Sequence, residues 1–298
     1  MDIVFEHASF AYESFRRTKK ASPPEKELPD NAFALRDLCF SITSTQSVAI
    51  LGRSGSGKST LLNLFTGLTK PTHGVICIDG ENIHSGKVSL SLLRQRLGVV
   101  FQFPESQLFE LSVYDDVAYG PRNLRLAETV VRQRVHEALN AVGLPPADFS
   151  RIDPMHLSQG EKRRAAIAGI LAMQPEMLIL DEPTAGLDAD GRERLIAALH
   201  GCRSRGVGVL LISHDTGLAI QFSRRALVLD AGRLSYDGDL SELFRDSSSA
   251  LRYGLEVPRA IRLAQKLPDH GISSDEMQRL LTDDAFLNHP DQADDNPS

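Results

Sequence analysis

The segment that most constrains the fold is a glycine-rich loop between strand-like and helix-like sequence. Residues 47–51 read SVAIL, residues 52–57 read GRSGSG, and residues 58–65 read KSTLLNLF. Glycines let a backbone curl until consecutive N–H groups point at phosphate oxygens, and the following helix N-terminus adds partial positive charge. The spacing G-x-x-x-x-G-K-[ST] therefore predicts a nucleotide phosphate site.

Each position of this loop has a predicted task. Lys58 is expected to reach the β- and γ-phosphates of ATP, and the Ser59 hydroxyl to complete a Mg²⁺ shell. The predicted nucleotide contacts are Gly52, Arg53, Ser54, Gly55, Ser56, Gly57, Lys58, Ser59 and Thr60. A glycine turn without a ligand is the alternative, and the strand–helix context disfavours it. A dinucleotide fingerprint is excluded because Thr60 stands where its third glycine is needed.

Two carboxylates follow a strongly apolar segment, Met177–Leu180. Asp181 is predicted to hold Mg²⁺ through water, and Glu182 to act as general base on the attacking water. An acidic cap on the next helix is the alternative, and the presence of the phosphate loop disfavours it.

Short apolar segments that alternate with helical ones predict an α/β fold with a central, largely parallel sheet. Predicted strands are Ile3–Tyr12, Phe33–Ile42, Val75–Ile78, Leu97–Phe101, Met177–Leu180, Val207–Ile212 and Ala226–Leu229; the clearest helices are Glu128–Val142 and Gly160–Met173. We expect a nucleotide-binding domain at 1–245 with a helical subdomain at about 102–174, and a polar loop at 13–31. The domain is followed by a Ser-rich break at 246–250, a helical extension at 251–282 and an acidic tail at 283–298. The extension is expected to contain two helices, Val257–Leu267 and Ser273–Leu281, which would strengthen dimerisation.

Charge and cysteine content narrow the function classes. The net charge is −6. Residues 283–298 contain five Asp and no Lys or Arg, so the net charge of residues 1–282 is near −1. A basic nucleic-acid-binding surface is thereby disfavoured, and no nucleic-acid partner is expected. Three widely spaced cysteines favour a reducing compartment. The first residues, MDIVFEH, predict no signal peptide, and the longest apolar stretches fall short of the roughly 18 residues of a membrane span.

A further set of motifs resembles the ABC ATPases over roughly residues 2–243. The matching segments are LSQGE at 157–161, Gln102 after a strand, PTAGLD at 183–188, His214 after a strand, and Tyr12. The resemblance implies a signature motif that presents Ser158 and Gly160 to a nucleotide, with Asp188 in the D-loop. It also implies a Q-loop residue for metal binding and catalysis (Gln102), a catalytic switch histidine (His214) and an aromatic ring on adenine (Tyr12). Taken singly, Tyr12 is also explained as a strand aromatic, Gln102 as a surface amide and His214 as a capping or core histidine.

A narrower resemblance lies between the Q-loop and the signature. Residues 101–109 read FQFPESQLF and residues 117–123 read VAYGPRN, similar to the A components of energy-coupling factor (ECF) transporters. This implies an ATP hydrolase that drives uptake of a vitamin or a transition-metal ion. The implied partners are a second ATPase subunit (a related A component or a copy of this chain), a transmembrane T component and a substrate-binding S component. The implied location is peripheral, on the cytoplasmic face of the cell membrane.

In ABC ATPases the signature serves the nucleotide of the opposite subunit, so the resemblance implies that this chain, with one phosphate loop and one signature, pairs to become active. Within the signature, Gln159 and Glu161 replace a glycine and an amide of the common LSGGQ form. A carboxylate near a triphosphate is unfavourable unless it points away or pairs, for which Lys162 and Arg164 are the candidates. We therefore hypothesise slower hydrolysis at the ATP site that this signature completes. The resemblance implies that membrane subunits dock on the region after Gln102, with Glu105, Leu108 and Phe109 as the candidates; burial of the two apolar side chains is the alternative.

The main alternative is a non-transport ABC ATPase associated with nucleic acid or translation. Gln102 and Ser158 are 56 positions apart, which leaves no room for the long coiled coil of chromosome-maintenance types. Translation and resistance factors usually carry two ATPase domains in one chain. A nucleotide kinase would explain the phosphate loop, but neither the signature nor His214.

Overall fold

The computed structural model describes residues 1–12, 32–245, 247–258 and 261–262. Within them, two sheets carry the architecture. The strands are β1 (Asp2–Ala11), β2 (Phe33–Thr43), β3 (Ser47–Leu51), β4 (His73–Ile78), β5 (Glu81–Asn82), β6 (Leu97–Val100), β7 (Met177–Asp181), β8 (Gly208–Ile212), β9 (Arg225–Asp230) and β10 (Arg233–Asp239). A four-stranded antiparallel sheet has the order β2-β1-β4-β5, and a six-stranded sheet has the order β10-β9-β3-β8-β7-β6.

The six-stranded sheet is parallel except at one edge. β3 pairs in parallel with β8 and β9, and β7 with β6 and β8, whereas β10 runs antiparallel to β9. Every residue of β8 is buried, as an inner strand covered on both faces requires. The edge strand β10 is polar and half-exposed, which is why hydrophobicity did not predict it. The predicted α/β class with a largely parallel sheet is confirmed.

Ten helices are described: α1 (Lys58–Phe65), α2 (Leu90–Arg96), α3 (Val113–Asn123), α4 (Glu128–Ala141), α5 (Pro146–Phe149), α6 (Gln159–Ala172), α7 (Ala189–Ser204), α8 (Thr216–Phe222), α9 (Leu240–Arg245) and α10 (Ser247–Arg252). Short 3-10 turns lie at Pro104–Gln107 and Pro154–His156. Helices α3, α4 and α6 pack on one another, although the proposed domain boundaries stay a prediction. In the described part of the chain, no helix combines the length and hydrophobicity needed to cross a bilayer.

Side chains alternate between two hydrophobic clusters on the faces of the parallel sheet. In β7, Leu178 and Leu180 belong to the cluster that contains α3, α4 and α6, while Ile179 joins the cluster that contains α1 and the antiparallel sheet. The period-two alternation of a strand produces this division. Burial on both faces holds the strand ends, and therefore the site, in place.

The C-terminal part differs from expectation where it is described. The predicted Ser-rich break at 246–250 overlaps helix α10, whose Ala250 is fully buried in the core; burial of this face overrides the weak helix propensity of serine. The loop at 13–31 and the acidic tail at 283–298 lie outside the described residues. So do the predicted helices at 257–267 and 273–281, except for residues 257–258 and 261–262.

Candidate functional site

The phosphate loop joins the end of β3 to α1 through glycines that no other residue replaces without strain. Gly52, Gly55 and Gly57 have φ of 149°, 80° and 105°. A Cβ on Gly52 would lie 2.3 Å from the Leu229 carbonyl oxygen, and one on Gly57 would lie 2.7 Å from Leu35 Cδ2. The positive φ values and the close neighbours therefore restrict the loop to its curled form.

Lys58 lies across this loop. Its Nζ donates to the carbonyl oxygens of Gly52 at 2.6 Å and Arg53 at 3.0 Å. Burial lowers the pKa of Lys58, and the charges of Glu182 and Asp181 oppose that shift. A cation held partly out of water, with anionic neighbours, is suited to a phosphate group.

Two further features of the loop fit ATP. The buried Ser56 hydroxyl has no hydrogen-bond partner among the described residues, so it is available to a phosphate oxygen. The Tyr12 hydroxyl is hydrogen-bonded to Thr60 Oγ1 at 2.8 Å, which places the half-exposed Tyr12 ring beside α1. The first-turn residue Ser59 is exposed.

Asp181 ends β7 on the same edge of the sheet. Burial raises its pKa, the neighbouring Glu182 raises it further, and Lys58 opposes both. A carboxylate in this environment is stabilised by a cation, and oxygen ligands suit Mg²⁺. Asp181 and Ser59 therefore fit the predicted magnesium site.

The Glu182 carboxylate is held by the segment that follows β8. Oε1 accepts from the backbone N–H of His214 at 2.9 Å and from His214 Nδ1 at 2.7 Å, while Oε2 accepts from Ser213 Oγ at 2.9 Å. A carboxylate offers about four acceptor positions, so one remains on Oε2 for a water molecule. The geometry brings Glu182 and His214 together. The sequence did not identify Ser213 as a site residue, although a serine that ends an apolar strand is a usable signal.

The acidic-cap alternative is excluded for Asp181 and Glu182. The next helix, α7, begins at Ala189, and its cap is Asp188, whose side chain accepts from Gly191 N at 2.8 Å. Glu182 has φ of 47°, a left-handed conformation that is unusual for a glutamate. The strained turn aims the carboxylate at β8.

A buried arginine, Arg163, was missed as a site residue. Its guanidinium donates to the carbonyl oxygens of Gln102 at 2.7 Å and Glu182 at 2.8 Å, and also to that of Ala185. The sequence showed Arg163 only as part of a basic run, since none of these partners is its neighbour in the chain. The Gln102 side chain is exposed and follows Phe101, the first residue after β6.

The signature residues are not brought to the phosphate loop of their own chain. Among the described residues, no hydrogen bond joins Ser158 or Gly160 to that loop. Ser158 caps α6, and its N–H and hydroxyl donate to Glu161 Oε2 at 2.8 Å and 2.7 Å. A Cβ on Gly160 would make only ordinary contacts, at 3.7 Å or more. Among the described residues, the N-terminus of α6 therefore has no hydrogen bond to the chain's own phosphate loop.

Glu161 departs from the expected pairing. Its hydrogen bonds come from Ser158, and these lower its pKa first, with a smaller contribution from the charge of Arg164; no ion pair with Lys162 is found among the described residues. The Ser-x-x-Glu spacing is a known capping-box signature, so the sequence contained this signal.

Comparison with known proteins identifies the family. Residues 35–185 match the ABC transporter family model. The chain is 41% identical over 276 residues to the energy-coupling factor transporter ATP-binding protein EcfA2 of Symbiobacterium thermophilum, which covers 92% of this chain and 90% of that protein. The chain belongs to the ABC transporter family. Within it, this ABC ATPase belongs with the ATP-binding proteins of ECF transporters, as the predicted resemblance stated.

Other relatives agree. The ABC ATPase is 42% identical to the protein EcfA of Methanothermobacter thermautotrophicus, over 83% of this chain and 79% of that protein. Its structure resembles cbiO1 from Clostridium perfringens, described as part of the ABC transporter complex cbiONQ, with a TM-score of 0.70 and 33% identity over 88% of this chain and 98% of the other. It also resembles the ATP-binding cassette MJ0796 bound to ADP and Pi, with a TM-score of 0.64 and 27% identity over 80% of this chain and 98% of the other. The predicted fold class is confirmed, whereas the roles of individual site residues stay predictions.

Proposed function

We propose that this ABC ATPase hydrolyses ATP to drive uptake of a vitamin or a transition-metal ion through membrane partners. One observation carries the proposal: large apolar side chains are exposed around the segment that follows Gln102. This coupling patch consists of Phe103, Phe109, Leu111, Tyr119 and Met155. Leu111 alone is 86% exposed. Phe109 and Tyr119 are in ring contact, and clustered exposed apolar side chains are typical of a protein–protein contact.

The patch refines the docking residues expected from the sequence. Phe109 is exposed, and its ring packs edge-on against Tyr119 at 4.9 Å. Leu108 instead packs against the core, and Glu105 has a buried oxygen. A membrane subunit would therefore contact Phe109 directly, whereas it would reach only the partly exposed side of Glu105.

ATP hydrolysis would require a second ATPase subunit. Because the N-terminus of α6 does not serve its own phosphate loop, we propose that Ser158 and Gly160 meet the γ-phosphate held by the partner, with Asp188 beside them. Helix N-termini are suited to anions. The partner is a related A component or a second copy of this chain.

Within the proposed site, bound Mg²⁺ would neutralise phosphate charge, with Ser59, Asp181 and Gln102 as its protein ligands. Glu182 would accept the proton of the attacking water at its remaining Oε2 position, and His214 would hold the opposite oxygen. Tyr12 would present its ring to adenine.

Arg163 provides the route from docking to chemistry. It holds the Gln102 and Glu182 carbonyls together, so displacement of the Q-loop by a membrane subunit would shift the backbone of the general base. Transport partners would thereby control hydrolysis. The location that follows is the cytoplasmic face of the membrane, reached through a T component, with an S component selecting the solute.

The test is to tag the full chain, extract it from its native membranes in mild detergent, and identify the proteins that co-purify. A second ATPase together with small polytopic membrane proteins is the expected result, and the solute retained by the complex would identify the cargo. Recovery with ribosomes or DNA would overturn the transport proposal in favour of the non-transport alternative.

A further inference from the structure

A second group of ligand atoms lies on the outer face of the antiparallel sheet. His7 on β1, Asp37 on β2 and Cys39 on β2 are all exposed, and their side-chain donor atoms lie within 4.8 Å of one another. His7 Nδ1 is 2.7 Å from Asp37 Oδ1 and 3.4 Å from Cys39 Sγ. Neither the nucleotide site nor the coupling patch includes any of them.

Two compensating β-bulges build this group. Between the pairs Phe5–Phe40 and Ala8–Leu38, β1 contains one extra residue. Simple alternation from the buried Phe5 would direct His7 into the core, and the bulge turns it outward at φ of 49°.

The second bulge lies in β2. Between the pairs Ala8–Leu38 and Phe10–Leu35, β2 contains the extra residue, and Asp37 has φ of 47°. Left-handed backbone is unfavourable for residues other than glycine, although Asp tolerates it better than most. Both irregularities therefore place a potential ligand on the same outer face as Cys39.

An imidazole nitrogen, a carboxylate oxygen and a thiolate sulfur form a donor set for zinc and neighbouring first-row metals rather than for Mg²⁺. With bond lengths of about 2.0–2.3 Å, tetrahedral geometry separates such donors by about 3.3–3.7 Å. The 3.4 Å between His7 Nδ1 and Cys39 Sγ already lies in this range. The 2.7 Å between His7 Nδ1 and Asp37 Oδ1 must lengthen by less than about 1 Å when a cation replaces the shared proton. We propose that His7, Asp37 and Cys39 bind one divalent cation of the zinc–cobalt class, with water in the fourth position.

This site is separate from the magnesium of the nucleotide site. His7 precedes Tyr12 by five residues, about 16 Å along an extended strand. A cation there joins β1 to β2 and binds only the folded chain, so it stabilises the protein by mass action. Because the imidazole and the thiol must be deprotonated to bind, affinity falls as the pH decreases.

The test uses the full chain, reduced, freed of metal by a chelator and without nucleotide. Titration with Co²⁺ is followed by the thiolate-to-cobalt charge-transfer absorption, and Zn²⁺ is then added to displace it. We expect one equivalent of cobalt, displacement by zinc, and loss of the absorption in Cys39→Ser. His7→Asn and Asp37→Asn, which tolerate positive φ, should weaken cobalt binding at least about tenfold.

The matched control is Cys77→Ser on the adjacent strand β4, which should keep the absorption. ATP affinity, measured in parallel, reports whether each variant is folded, and Cys39→Ala replaces Cys39→Ser if the latter does not bind ATP. The proposal is overturned if the parent chain shows no thiolate absorption, if the absorption survives Cys39→Ser, or if it is indifferent to both His7→Asn and Asp37→Asn.

Discussion

At the scale of single residues, the site is organised around the Glu182 carboxylate. Three donors from Ser213 and His214 orient it, and Arg163 holds the backbone behind it. Hydrogen bonds to a charged group are worth about 1.5–3 kcal/mol each, so the carboxylate is oriented before nucleotide binds.

Replacing Glu182 with Gln removes the proposed general base. We expect ATP hydrolysis by the assembled complex to fall by about 10²–10⁴-fold, with ATP binding retained and a closed dimer trapped. Single-turnover hydrolysis and equilibrium ATP binding measure the two effects. Glu193→Gln, an exposed change on α7, is the control; near-normal hydrolysis by Glu182→Gln would place the base elsewhere.

The second prediction at this scale concerns Arg163. Lysine is a point charge that does not reproduce a planar set of donors, so Arg163→Lys should release the carbonyls of Gln102 and Glu182. Loss of two charge-assisted hydrogen bonds costs about 3 kcal/mol. If about half of this free energy serves to align the general base and the rest stabilises the fold, turnover of the complex should fall about tenfold. Affinity for ATP should be unchanged.

Turnover and ATP affinity are compared with those of Lys162→Met on the same helix. Equal losses of turnover and ATP affinity in Arg163→Lys would show that Arg163 serves the fold alone.

At the scale of elements, helix α6 already has an anion at its N-terminus. Glu161 and Ser158 form a capping box there, and the helix dipole stabilises the carboxylate. The Ser158 hydroxyl that a partner's γ-phosphate would need is bonded to Glu161. The departure from LSGGQ therefore predicts a cost for the ATP site that this helix is proposed to complete.

Glu161→Gln tests that cost, because Gln also forms a capping box but lacks the charge. Removal of a charge worth about 0.3–1 kcal/mol should raise turnover of the complex about two- to fivefold, with little change in Tm. Glu161→Ala, which loses the cap, should instead reduce the free energy of unfolding by about 1 kcal/mol. Steady-state hydrolysis and thermal unfolding distinguish the two, and unchanged turnover in Glu161→Gln contradicts the hypothesis.

At the scale of the whole molecule, the proposed chemistry and the proposed coupling belong to different segments that leave the same edge of the parallel sheet. The carboxyl ends of β3 and β7 carry the phosphate loop and the two carboxylates, while the coupling patch lies on the helices and turns beyond Gln102. Arg163 hydrogen-bonds to the backbone of Gln102, which precedes the patch, and to the backbone of Glu182.

Polar substitution of the patch should break assembly without affecting nucleotide binding. Phe109→Ser combined with Leu111→Ser should reduce the co-purified membrane protein at least about tenfold. Burial of two large apolar side chains in an interface is worth more than about 1.4 kcal/mol, which corresponds to a tenfold change in affinity. ATP affinity of the chain should be unchanged. Leu92→Ser on α2, where the leucine is also exposed, is the control. Equal amounts of membrane protein recovered with the parent chain, the double variant and Leu92→Ser would show that the patch is not the docking surface.

Most strands were predicted within one or two residues, because inner parallel strands are continuous apolar runs. The limits of that signal are visible in β10, whose polar edge sequence carries little hydrophobic pattern, and in α10, where burial of Ala250 decides the structure. Local motifs were likewise accessible: the phosphate loop and the Asp181–Glu182 pair depend on adjacent residues and need no knowledge of distant ones.

The sequence by itself determined the nucleotide loop, the two carboxylates, the α/β class and the family, since each depends on residue order and short spacings. Only the tertiary structure decided how these parts act on one another. Ser213 and His214 reach Glu182 from about 30 residues away, and Arg163 reaches Gln102 across 61. Hydrogen bonds form only when donor and acceptor lie within about 3 Å of each other. Residues that are distant in the chain reach this separation only because β7 packs against β8 and α6 packs against the sheet.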